Sequence, residues 1–161
     1  RNGKLLHRHE PPASWHQLSI RHIDVSDRGA VAIAMQFEGK PYQRPPLVAV
    51  QQGEGELRLL QAPVPVLKKM QNYCGSAVFS SDGSRFAISS PRGGLVTYWS
   101  EAGDYLGLHR QADACGLAAL PGNRFAVSDG SGHLRVIAET LATEEQGRTP
   151  DTRWDNHLLP L

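Results

Sequence analysis

The chain has 161 residues, a length that suits one ordinary domain, and 40% apolar against 20% charged residues is a globular balance rather than a disordered one. Seventeen Lys and Arg against sixteen Asp and Glu leave a formal charge of +1, without the basic footprint of a dedicated nucleic-acid binder. No apolar run approaches the roughly 20 residues that span a bilayer, and sixteen Gly with eleven Pro suit hairpins better than helices.

In chain order, Gly3–His9 reads as an outer strand, the fourth of a preceding unit. A loose unit follows. Ser19–Ile23 and Ala30–Met35 make two strands around Asp27-Arg28-Gly29, then come Leu47–Val50 and Leu57–Leu60. Val66–Met70, placed after Pro65, predicts a turn or two of helix.

Two clearer copies come next. Cys74–Phe79 leads to Arg85-Phe86-Ala87-Ile88-Ser89, and Cys115–Leu120 leads to Arg124-Phe125-Ala126-Val127-Ser128. The Arg-Phe-Ala elements lie 39 positions apart and the Cys-Gly pairs 41 apart. Further strands follow at Leu95–Trp99, Tyr105–Leu108 and Leu134–Ile137. In the last copy Thr140–Arg153 reads as a swollen turn carrying a short helix at Leu141–Gln146, which leaves Asn156–Leu159 as the closing strand. A period near 40 residues made of strands and tight turns is the spacing of propeller blades.

The expected fold is therefore all-β, a partial β-propeller of about three four-stranded antiparallel blades. Its parts are residues 1–18 (outer strand and loop of a preceding blade), 19–63, 70–112 and 113–161. A blade needs a neighbour on each side. Two apolar flanks should then meet either the missing half of the same protein or a second copy.

Five segments occur in order: His16–His22, Arg44–Val48, Met70–Ser76, Ser89–Gly94 and Trp154–His157. Together they resemble the C-terminal half of a bacterial family catalogued as domain of unknown function 1513. The resemblance implies a secreted ring of roughly seven blades, a periplasmic home and an export leader in an absent first half. It also implies gene neighbours linked to iron uptake. It carries no catalytic residue over.

In a propeller the connections from strand four to the next strand one, and from strand two to strand three, emerge on one face. Four of the five family-like segments fall on or beside them. A polar patch at the channel mouth is the candidate site: His16, Arg21, His22, Arg44, Asn72, Tyr73, Arg92 and Asp113. Its arginines suit a carboxylate or phosphate, with Tyr73 as an amphipathic wall. The competing structural use has Arg21 and Arg92 bonding carbonyls of neighbouring blades.

Metal readings are weaker. His7 and His9 share a strand face without a third ligand, whereas His16 and His22 would need Asp113 to converge on them. His157 suits the fixing of the last strand. Cys74 and Cys115 lack metal spacing and read as small buried residues, and Trp99 reads as core. GxSxG, GxxxxGK[ST] and HExxH are all absent, so no cofactor is expected. The functional expectation is a binding or scaffolding module for a protein or small anion, linked to iron or metal acquisition, with no nucleic acid. The alternative is a lactonase-like hydrolase with a channel metal, for which His22, Ser76 and Cys115 are a poor oxygen-ligand set.

Overall fold

In the computed structural model, which describes residues 3–5, 7–155 and 158, the chain folds as three four-stranded antiparallel sheets. The first contains β1 (Leu18–Val25), β2 (Ala30–Phe37), β3 (Val48–Gln52) and β4 (Arg58–Leu60). The second contains β5 (Ala77–Phe79), β6 (Arg85–Ser90), β7 (Leu95–Ser100) and β8 (Tyr105–Arg110). The third contains β9 (Ala114–Leu120), β10 (Arg124–Asp129), β11 (His133–Ile137) and β12 (Thr143–Arg148). Each sheet runs in simple sequence order, and the first strands touch: β1 meets β5, and β5 meets β9. These are blades fanned about a common axis with β1, β5 and β9 innermost.

Apolar side chains on the facing sheets form the glue. One buried cluster joins the first two blades through Met35, Val48, Leu67, Phe86 and Trp99. Another joins the second and third through Tyr98, Leu117, Phe125 and Val127. An aromatic row crosses the second blade from inside to outside. Phe79 and Phe86 have ring centroids 5.3 Å apart, Phe86 and Trp99 6.5 Å, and Trp99 and Tyr105 5.3 Å. Each neighbour in that row is also a register partner across the sheet.

Polar bonds then lock one blade to the next. Gln36 on β2 donates to the Cys74 carbonyl at 3.0 Å, and Ser89 on β6 donates to the Cys115 carbonyl at 2.7 Å. The repeated Cys-Gly pair is thus an acceptor for the second strand of the preceding blade. Its glycine is needed because a Cβ on Gly75 would fall 2.9 Å from the Ser89 hydroxyl oxygen, and one on Gly116 would fall 2.8 Å from that of Ser128. On the opposite face the hairpin residues of adjacent blades also meet, with Asn123 donating to Asp82 at 2.8 Å.

Several local expectations need correction. Thr143–Arg148 is the strand β12 rather than part of a helix in a swollen turn. It supplies β11 with a ladder partner, pairing His133 with Arg148 and Val136 with Glu145. The backbone groups of β11 outweigh the local helical preference of the sequence. Most of the expected closing strand Asn156–Leu159, His157 included, lies outside the described residues. The helix α1 (Val64–Met70) starts earlier than expected, so Pro65 occupies its second position and Pro63 its N-cap. The described residues of Gly3–His9 join none of the three sheets; His9 instead lies 3.1 Å from the Gln51 amide. A strand needs a ladder partner for its backbone groups, and none of the three sheets offers these residues one.

Candidate functional site

Three loops converge where the first and second blades meet. The β2–β3 loop brings Glu38, Pro41 and Arg44; the segment after α1 brings Gln71, Asn72 and Tyr73; the β6–β7 turn brings Arg92. Local chemistry fixes each one. Gln71 and Asn72 have φ of 51° and 58°, successive left-handed residues that end the helix, and Asn tolerates that region well. Pro91 accepts from the Gly94 amide at 3.1 Å to close the turn that presents Arg92.

Between these loops lies a cavity of about 350 Å³ lined by Phe37, Glu38, Gly39, Pro41, Arg44, Gln71, Asn72 and Arg92. Arg92 is fixed from two sides: its guanidinium carbon sits 4.2 Å over the Tyr73 ring, and its carbonyl accepts from Gln71 Nε2 at 2.8 Å. Arg44 donates through Nη1 to the carbonyls of Pro41 and Gln43. Asn72 is 8% exposed and donates to the same Gln43 carbonyl at 3.1 Å, while its Oδ1 is buried without a partner. Arg21 reaches the rim through Glu38, 3.5 Å away. Glu38 is itself placed by its backbone, which accepts from Gln17 Nε2 and donates to the Gln17 carbonyl.

The eight sequence-predicted residues therefore divide. Arg44, Asn72 and Arg92 share one cavity, with Tyr73 under Arg92 and Arg21 at the rim. His16 lines a separate cleft with Glu10 and Trp15. His22 lies on the inner wall with Ser76, in a hollow of about 650 Å³ shaped by β1, β5 and β9. Asp113 opens β9, where its carbonyl accepts from the Cys115 thiol at 2.9 Å. His16, His22 and Asp113 thus do not gather. Asp113 has φ of 52° two residues before Cys115, and Asn72 has φ of 58° at the same distance before Cys74, so the backbone accounts for both residue types.

Phe37, Glu38, Gly39, Pro41 and Gln71 are the lining residues that sequence reasoning missed. Glu38 was open to notice, because it stands at the start of the β2–β3 loop, a connection already assigned to this face. The proposed carbonyl-bonding role of Arg21 and Arg92 is taken by other arginines: Arg28 to Asp82, Arg58 to Ala102, and Arg85 to Glu139 and Asn123. Among the described residues no three His, Cys, Asp or Glu side chains gather as a metal site. Burial pushes the Cys74 thiol up to about 12, and burial together with the Asp113 charge takes Cys115 to about 11.

A family model described as "Protein of unknown function (DUF1513)" matches residues 1–161. No curated protein matches the chain. Among solved structures, virginiamycin B lyase from Staphylococcus aureus is similar at 13% identity and a TM-score of 0.65, over 86% of this chain and 43% of that one. A gluconolactonase from Xanthomonas campestris is similar at 14% identity and a TM-score of 0.63, over 94% and 52%. Hsv2 from Kluyveromyces lactis follows at 16% identity and a TM-score of 0.51, over 73% and 36%. At these identities the likeness shows the β-propeller fold alone, and the chain spans about half the length of the structures it matches.

Proposed function

The chain belongs to the DUF1513 family, and from that premise we propose that it acts as a binding module of a propeller, taking a small anionic ligand at the junction of its first two blades. The observation that carries this reading is the convergence of Arg44 and Arg92 with the buried Asn72 in one cavity. Arginine presents a fixed fork of donors suited to carboxylate or phosphate oxygens, and stacking on Tyr73 reduces the freedom that Arg92 has to lose on binding. Rigid blades hold the loops, the common arrangement of ligand sites on such scaffolds. The periplasmic setting and the link to iron or metal acquisition rest on the family resemblance alone.

Acetate and inorganic phosphate are the direct probes. Saturable shifts of the Arg44 and Arg92 side-chain NMR signals support the reading. Arg92→Ala should weaken the anion about tenfold, the worth of one charge-assisted contact. Shifts that grow linearly with anion concentration and ignore the substitution would refute it.

A catalytic use of the inner wall is the second reading. It is favoured by the larger hollow that holds His22 and Ser76 and by the lyase and lactonase activities named for two structural relatives.

A further inference from the structure

We infer that the ligand of this cavity is a small zwitterion, an amino acid or short peptide whose carboxylate meets Arg44 and Arg92 and whose amine meets Glu38; this rests on the anion-binding reading above and adds the ligand class. Charges of both signs line the same cavity. Glu38 is an exposed carboxylate held only loosely by Arg21, since 3.5 Å is longer than a charge-assisted hydrogen bond of about 2.7–2.9 Å. An ionised carboxylate accepts at two oxygens, so Glu38 keeps capacity for a second donor.

A bare inorganic anion offers acceptors only and meets the Glu38 charge. A molecule with an amine beside its carboxylate satisfies Glu38 and the two arginines together.

Size and shape agree. A volume of about 350 Å³ lies at the small end of ligand pockets, and Phe37 with Pro41 gives a side chain an apolar surface. Gly39 keeps that surface open, because a Cβ there would fall 2.2 Å from the Phe37 ring.

Calorimetry with the dipeptide alanyl-leucine tests the inference, against its N-acetylated form, its C-terminal amide, and acetate. The free dipeptide should bind at least about tenfold more tightly than either capped form. Glu38→Gln should abolish its advantage over the N-acetylated form while leaving the latter bound. Far-UV circular dichroism confirms that the variant is folded. Equal or tighter binding of the N-acetylated form would overturn the zwitterion and leave the anion reading intact. Saturation by none of the four would sink both, as would binding of the amide alone.

Discussion

Arg85 occupies the interior at 5% exposure, donating to the carbonyls of Glu139 and Asn123 while its guanidinium lies 5.3 Å over the Phe125 ring. Its repeat counterpart, Arg124, sits partly in solvent with Pro121 and Glu144 of its own blade. Same residue, same place in the motif, different surroundings. Arg85→Ala should therefore cost about 2–4 kcal/mol, because it leaves two carbonyls unpaired and opens a cavity. Arg124→Ala should cost under about 1 kcal/mol, as exposed ion pairs do. Urea unfolding of the two variants checks the contrast, and equal losses would contradict it. The cysteines make a second test at this scale. With thiols held near 12 and 11, Cys74 and Cys115 should resist iodoacetamide at neutral pH in the folded protein and react once denatured. Rapid native labelling at Cys74 would mean that the junction between the first two blades is open.

Between elements, Ser89 on the second strand of the second blade is a joint to the third. The Ser89 hydroxyl accepts from the Ser76 amide at 2.8 Å and donates to the Cys115 carbonyl. Ser89→Ala removes one group and leaves two buried partners unsatisfied, so it should destabilise the fold by about 1–3 kcal/mol. A neutral result in thermal melts would show that the blades are held by apolar packing alone. The Arg-Phe-Ala-(Ile/Val)-Ser repeat made the second strands of two blades readable in the sequence, although Ser89 reaches the Cys115 carbonyl of the next blade while Ser128 bonds Gly116 of its own. The first blade was legible from its alternation and turns, although Gln36 does there what Ser89 does in the second. The strand β12 was not legible. Its residues Thr-Glu-Glu-Gln-Gly-Arg are all exposed, carry no apolar alternation and suit a helix, and only the ladder of β11 makes them a strand.

Across the whole molecule, the convergence of loops decides the site, and sequence gave only part of it. Assigning the β2–β3, β4–β5 and β6–β7 connections to one face placed Arg44, Asn72, Tyr73 and Arg92 together. It could not separate them from His16, His22 and Asp113, because which loops meet depends on how adjacent blades are rotated about the axis. Stability of the assembly should also fall in acid. Burial alone would raise the Asp129 carboxyl, but hydrogen bonds from the His133 and Ser131 amides, the His133 ring and Gln111 outweigh it and hold it below the usual range. The amide of Ser84, with Ser80 and Asn123, lowers Asp82 as well. Both groups are more acidic folded than unfolded, so their contribution is complete above the unfolded value of about 4 and is lost as pH falls through the folded values. Urea midpoints should hold between about pH 7 and 5 and drop below about pH 4, with a shallower drop in Asp129→Asn.

A crystal structure with alanyl-leucine bound would test the binding account most directly. The account predicts its carboxylate on the guanidinium groups of Arg44 and Arg92, between the loops of the first two blades. Density for the dipeptide against His22 and Ser76 on the inner wall, with the loop cavity empty, would contradict it.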